Sequence, residues 1–211
     1  MIKLFTFIVL GYLIGSISGS LLLGKFKKVD IRNLGSGNAG ATNAFRSIGP
    51  FFALGTLLID IMKGYLPVIL FSPYIDMSLD QDLIKILIGI SCVLGHVYPI
   101  FYSFKGGKGA GTLLGVIAAI FPSSISLVFS IWILVLIFTG YVGLSTIFAG
   151  LALVVSTYFW YSPGIYSAFG FFTILISIFL IFTHRSNISR MIEGKENQFQ
   201  KVMIFKNIFR N

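Results

Sequence analysis

The sequence predicts an all-α polytopic membrane protein of about seven transmembrane helices, on three observations. Apolar residues make up 56% of the 211 and charged residues only 11%, against roughly 25% charge in an ordinary soluble domain. The mean hydropathy is +0.92. The charge that exists, net +9, is gathered into a few short segments between long apolar runs. A chain this poor in charge cannot cover a globule with polar surface, which excludes a soluble enzyme, a disordered chain and a nucleic-acid-binding domain. One cysteine, Cys92, allows no internal disulfide and is too few for a Cys-rich metal site.

A helix needs about 20 apolar residues to cross a bilayer. Residues 4–24 qualify, as do 50–72, with polar interruptions, and 83–104. From the Lys105/Lys108 loop to His184 the chain carries no charge, and its punctuation is Pro122-Ser123-Ser124, Thr139-Gly140-Tyr141 and Tyr161-Ser162-Pro163-Gly164. These breaks predict helices at 111–121, 124–140, 143–161 and 165–183, of which 111–121 is too short for a full span. Lys3 before an apolar run imitates a signal peptide, but no small-residue cleavage site follows, so 4–24 reads as an uncleaved first helix.

Thirteen of the sixteen basic residues fall in three clusters: Lys25 to Arg46, the Lys105/Lys108 loop, and Arg185 to Arg210. Asp76, Asp80 and Asp82 occupy a different loop. Cytoplasmic loops are enriched in Lys and Arg, so the three clusters should share the cytoplasmic face and the N-terminus should lie outside. Two basic ends require an even number of crossings between them, and four is the better count. Residues 1–196 read as one integral membrane domain and 197–211 as a basic amphipathic cytoplasmic tail, with Val202, Phe205 and Phe209 at helical spacing.

Chemistry has three places to sit. Gly35-Ser36-Gly37-Asn38-Ala39-Gly40-Ala41-Thr42-Asn43, followed by Arg46, places turning glycines beside neutral hydrogen-bonding groups and a guanidinium. Such glycines can turn backbone N–H groups inward as an anion nest, and Arg forks onto phosphate. The string also fits G-x-G-x-x-G, but that fingerprint needs a preceding β-strand, and the flanks here are membrane helices. Alone, the string is equally a flexible cytoplasmic loop. Lys105-Gly106-Gly107-Lys108-Gly109 is a compact cationic loop without Walker A spacing, richer in glycine than a turn requires. His184-Arg185-Ser186-Asn187-Ile188-Ser189-Arg190, closing with Gly194, Lys195 and Glu196, alone reads as the basic flank of the last helix. Asp60 and Lys63 lie three apart inside a span, so they share a helix face, either as a structural pair or reaching toward the active face. Sharing one membrane face, the three basic segments offer Arg46, Lys105, Lys108, Arg185 and Arg190 to a phosphate-bearing substrate at the membrane surface. Neither His96 nor His184 has Asp five positions on, so the H-x-x-x-x-D pair that activates a hydroxyl in one large acyltransferase class is absent. The loops offer few carboxylates or histidines to a metal. Chemistry here would rest on charge stabilisation and positioning.

Gly35-Ser36-Gly37-Asn38, Gly40-Ala41-Thr42-Asn43 with Arg46, Gly95-His96 with Pro99, Lys105-Gly106-Gly107-Lys108-Gly109, and His184-Arg185, Asn187-Ile188 with Arg190 occur in this order and spacing. In these strings, and in Asp60 with Lys63-Gly64, the chain resembles the bacterial acyl-phosphate-dependent glycerol-3-phosphate acyltransferases, the PlsY family, from about residue 4 to Glu196. The resemblance implies acyl transfer from acyl phosphate to the sn-1 hydroxyl of glycerol 3-phosphate, giving lysophosphatidic acid and inorganic phosphate, with no organic cofactor and no metal. It implies a multi-pass protein of the bacterial cell membrane, read here as a monomer. Carried over, Ser36 and the loop residues Gly35, Gly37, Asn38, Gly40, Thr42 and Asn43 hold a substrate phosphate. Arg46, Lys105 and Lys108 contact phosphate and steady developing charge, with Gly106, Gly107 and Gly109 around them. His184 and Asn187 orient glycerol phosphate or the reacting oxygen, and His96, Asp60, Lys63, Arg185 and Arg190 complete the binding set. Two positions depart from the family pattern: Ser18 where Pro is frequent, and Gly111 where Ala is usual. A transporter of an anionic solute is the rival reading, but transporter sites lie near the bilayer midplane and often carry internal repeats.

Overall fold

A computed structural model describes residues 1–75, 78 and 80–204. Asp76 of the acidic loop, and Phe205, Lys206, Phe209 and Arg210 of the tail, lie outside the described residues. Every predicted apolar segment is helical. Two compact units divide the chain, Met1–Pro122 and Ser123–Asn211.

In the first unit the segment 4–24 is two helices, α1 (Ile2–Gly15) and α2 (Gly19–Lys27), bent by 42° at the break. Ser18 caps α2, its hydroxyl accepting the Leu21 N–H at 3.5 Å. A 3₁₀ turn (Ile31–Asn33) and a short α3 (Ala41–Ser47) frame the first glycine loop, and α4 (Pro50–Phe71) follows. After α5 (Gln81–Val97) comes a second 3₁₀ turn (Ile100–Tyr102), then the Lys105–Lys108 loop and α6 (Ala110–Ile120). Helices α4 and α6 pack most intimately. Gly64 of α4 faces the Thr112 backbone and Gly115 of α6 faces the Ile61 carbonyl, each too close to leave room for a Cβ. Small residues at such crossings let membrane helices approach to backbone contact.

In the second unit α7 (Ile125–Thr139), α8 (Val142–Trp160) and α9 (Ala168–Thr183) pack in sequence, with α10 (Arg185–Ile192) turning off α9 by 52°. The Ser177 hydroxyl donates to the Gly150 carbonyl at 2.8 Å, fixing α9 on α8. The described part of the tail is not one helix. Only Gln200–Val202 makes a 3₁₀ turn. Phe199 N–H donates to the Gly140 carbonyl at 2.9 Å, Ile204 N–H to Ile137 at 3.3 Å, and Gln198 Nε2 to Thr139 at 3.3 Å. The tail thereby satisfies carbonyls that the end of α7 leaves without intrahelical partners.

Among the described residues four helical stretches are long and apolar enough to cross a membrane, and six if each bent pair is one span. Helix α6 has 11 residues, so at about 1.5 Å each it covers roughly half of a ~30 Å hydrocarbon core.

Candidate active site

The first glycine loop is shaped by Asn43. Its side chain is buried at 2% exposure. Its amide nitrogen donates to the carbonyls of Ile31 (3.1 Å), Leu34 (2.9 Å) and Asn38 (3.0 Å), and its oxygen accepts the Ser36 N–H at 3.0 Å. Both ends of the amide are used on the loop itself. Asn43, expected from sequence as a phosphate contact, is the internal brace of the nest. Gly35, at φ +55°, must be glycine because a Cβ would collide with the Asn43 oxygen. Ala39 is fully buried, and its carbonyl accepts the Ser20 hydroxyl at 2.9 Å, which docks the loop on α2. Ser36 stays exposed, with Asn38, Gly40, Thr42 and Arg46 half-buried around it.

The second loop meets the first. Gly37 of the first and Lys105 and Gly106 of the second line one open cleft, together with Asp30, Arg32 and Ser103. Arg32 is clamped by Asp30 in a two-pronged pair, Nε to Oδ1 at 3.0 Å and Nη2 to Oδ2 at 2.7 Å. Hydrogen bonding from Arg32 holds the Asp30 carboxyl below its ordinary value. Arg32 Nη1 also donates to the Tyr102 carbonyl at 3.2 Å. Just beyond, Ser103 (φ +56°) and Phe104 (φ +58°) both occupy the left-handed region, a costly conformation for two consecutive residues with side chains. Asp30, Arg32 and Ser103 were not singled out from sequence as site residues. The left-handed pair carries no glycine or asparagine to announce it.

Gly106 and Gly107 owe their identity to His96. The Gly107 N–H donates to the His96 carbonyl at 3.1 Å and the Gly106 N–H to Val97 at 3.3 Å. A Cβ on Gly107 would strike His96 Nε2, and one on Gly106 the His96 carbonyl. Gly109, at φ +91°, turns the chain into α6. Lys105 is exposed and Lys108 half-buried. Asp60 and Lys63 form the structural pair, Nζ to Oδ1 at 2.8 Å, both deeply buried.

The third segment belongs to the second unit. His184 is buried at the bend between α9 and α10, its Nδ1 2.8 Å from the Leu180 carbonyl. A carbonyl only accepts, so Nδ1 carries the proton and a neutral ring keeps its lone pair on Nε2. Asn187 is buried against Gly143 of α8, and its amide donates to Glu196 Oε1 at 2.8 Å. Arg190 Nε donates to Glu196 Oε2 at 2.6 Å. Glu196 therefore spans Asn187 and Arg190. Arg185 is exposed, donating to the Phe182 carbonyl at 3.0 Å and stacking on the Phe182 ring. Among the described residues no three His, Cys, Asp or Glu side chains gather as a metal set.

A sequence profile described as Glycerol-3-phosphate acyltransferase matches residues 5–194. The chain belongs to the glycerol-3-phosphate acyltransferase family. A glycerol-3-phosphate acyltransferase of Fusobacterium nucleatum is 39% identical over 93% of this chain and 98% of its own length. Glycerol-3-phosphate acyltransferase 2 of Bacillus anthracis is 38% identical over 90% and 96%. The crystal structure of PlsY, an integral membrane glycerol 3-phosphate acyltransferase, in its glycerol 3-phosphate form superposes with a TM-score of 0.83 at 34% identity, covering 93% of this chain and 95% of that one. The lysophosphatidic acid form gives 0.81 at 33% identity. Ser18 supplies the cap of α2 where the family often has Pro. At Gly111 a Cβ would lie 3.3 Å from the Asp60 Cβ and 3.5 Å from Leu57 Cδ1, a tight contact with side-chain atoms.

Proposed function

We propose that this acyltransferase moves an acyl chain from acyl phosphate to the sn-1 hydroxyl of glycerol 3-phosphate, as the first acylation step of phospholipid synthesis. The observation that carries this reading is the meeting of the Gly37 loop and the Lys105–Gly106 loop in one cationic cleft, in a chain whose structural relatives include a glycerol 3-phosphate form and a lysophosphatidic acid form. Both proposed substrates carry phosphate, and cations beside turning backbone N–H groups suit phosphate. Ser36 and the loop backbone hold one phosphate. Arg46, Lys105 and Lys108 contact phosphate and stabilise the charge that grows on the leaving group. His184 and Asn187 orient the glycerol phosphate or the reacting oxygen. The sn-1 oxygen bonds to the acyl carbon, the bond from that carbon to the phosphate oxygen breaks, and the hydroxyl proton passes to the departing phosphate. Acyl phosphate is already activated, so no strong protein base is required. Support for substrate-assisted proton transfer is the missing H-x-x-x-x-D pair.

The same reading puts residues 1–196 in one functional domain of a monomer that crosses the bacterial cell membrane about seven times. The basic loops face the cytoplasm, as the clustering of Lys and Arg supports. A Ser36→Cys variant should then resist an impermeant maleimide in intact cells, while Ser78→Cys should react.

The decisive experiment gives purified protein palmitoyl phosphate with and without glycerol 3-phosphate, and follows inorganic phosphate and lysophosphatidic acid together. Both products should require glycerol 3-phosphate. Product from palmitoyl-CoA but none from palmitoyl phosphate overturns the donor; product from neither, with folded protein, overturns the function.

A further inference from the structure

Asp60, Lys63 and His96 are buried at 3%, 5% and 4% exposure, and the chemistry proposed above uses none of them. Their contacts lead outward to both glycine loops. Asp60 Oδ1 accepts from Lys63 Nζ at 2.8 Å and from the Gly19 N–H at 3.3 Å, and packs 3.5 Å from His96 Nδ1 without a hydrogen bond. Lys63 Nζ also donates to the Ile17 carbonyl at 2.7 Å. One carboxylate and its lysine therefore hold both sides of the α1–α2 break. The next residue, Ser20, donates to Ala39 of the first loop at 2.9 Å. In the other direction His96 is the bed of the second loop. Its carbonyl takes the Gly107 N–H, its ring lies flush on Gly107, and its carbonyl leaves no room for a side chain at Gly106. Those two glycines separate Lys105 from Lys108.

We propose that Asp60, Lys63 and His96 are positioning residues that register the two glycine loops against each other. They do not touch substrate. Asp60 and Lys63 neutralise each other and are closed off from solvent. Asp60 instead packs at 3.5 Å against the His96 ring, whose Nδ1 makes no hydrogen bond among the described residues, and the ring in turn beds the loop that carries Lys105 and Lys108. Charged groups inside a membrane protein are expensive and persist where they are paired. Here the pairing doubles as a ruler between two loops that sit more than sixty positions apart in sequence.

The inference rests on the assignment of Lys105 and Lys108 to phosphate, and its test separates the two. Gly107→Ala drives a methyl into the His96 ring, and His96→Ala removes the ring. If both act by unseating the same loop, each lowers kcat by about 10-fold or more, and the double variant is no worse than the poorer single, since coupled residues do not add. If His96 is a substrate ligand instead, the losses multiply and the proposal falls. A second readout needs no activity. Trypsin cleavage after Lys105 and Lys108, followed by mass spectrometry on substrate-free protein in detergent, should quicken in His96→Ala and in Asp60→Asn. Unchanged cleavage in both overturns the proposal even if activity is lost. Should His96→Ala fail to fold, His96→Gln is read in its place. A wild-type protein without acyltransferase activity would refute the functional reading while leaving the cleavage result to decide the positioning role.

Discussion

Replacing Glu196 by Gln removes one charge and one acceptor and leaves the shape intact. Glu196 has a side chain only 2% exposed, and its two oxygens are divided between Asn187 at 2.8 Å and Arg190 at 2.6 Å. In Glu196→Gln the amide oxygen can serve one partner, and the NH₂ group then points at a donor on the other. A hydrogen bond to a charged group contributes about 1.5–3 kcal/mol. Arg190 is 31% exposed, so water takes over part of its loss and that bond belongs at the low end. Stranding the buried Asn187 amide costs about 1–3 kcal/mol. Whichever partner is lost, the cost is about 1–3 kcal/mol, to be shared between lost stability and a displaced Asn187. If half appears in the barrier, kcat falls about 2- to 13-fold, at 1.36 kcal/mol per decade. The assay is steady-state release of phosphate and formation of lysophosphatidic acid, with thermal unfolding in detergent alongside. Arg190→Lys keeps the charge and should be milder. Wild-type kcat in Glu196→Gln, with stability lowered as expected, would refute the claim that Glu196 holds Asn187 in a position that matters to the reaction.

Other outcomes follow from the same geometry. Arg46→Ala and Lys108→Ala should each lose about 100-fold or more in kcat/KM, the size of a lost charge-stabilising donor, while remaining monodisperse on size exclusion; Lys201→Ala, exposed in the tail, should stay within about twofold. Gly64→Ala and Gly115→Ala put a methyl against backbone across the α4–α6 crossing and should destabilise by about 1–3 kcal/mol in thermal unfolding, whereas Gly111→Ala, whose methyl would meet side-chain carbons at 3.3 and 3.5 Å, should cost less than either. The Asp30 carboxyl titrates below its ordinary value because Arg32 donates to it. Its contribution is therefore complete above the usual carboxylate range of about 3.9 and is lost as pH falls through the folded value. The pair is partly solvated, so unfolding curves between neutral pH and pH 3 should show at most about 1 kcal/mol of that dependence, and Asp30→Asn should remove it.

The helices were legible because lipid imposes one rule on every crossing segment: apolar for about 20 residues and internally hydrogen-bonded. That rule fails at 4–24, where Ser18 caps the next helix at Leu21 and the Gly19 N–H goes to Asp60, a residue far along the chain. The three polar strings were legible as strings, and two of them do meet in one cleft. What sequence could not supply was the use of each residue within them. Glycine without a Cβ serves an anion nest and a close backbone approach equally well, and Gly106 and Gly107 serve the approach, against His96. Asparagine can donate outward to a ligand or inward to a loop, and Asn43 turns inward. Glu196 stands near Glu193 at the end of the third string, with nothing in the sequence to mark it out, and only the turn after α10 brings it back onto Asn187 and Arg190. Arg32 counts in sequence only toward the basic cluster, whereas in the fold it holds the Tyr102 carbonyl, one residue before the left-handed Ser103–Phe104 pair. In each case the residue type limits the chemistry, and the direction in which the group points is set by a partner that the fold brings in. A site built mainly of glycines and neutral amides is for that reason less readable than one built of catalytic acids and bases, where chemistry and identity coincide. Its loops spend much of their polar capacity on holding their own shape, as the N–H groups of Ser36, Gly106 and Gly107 do, and the sequence does not say which groups are left to face outward.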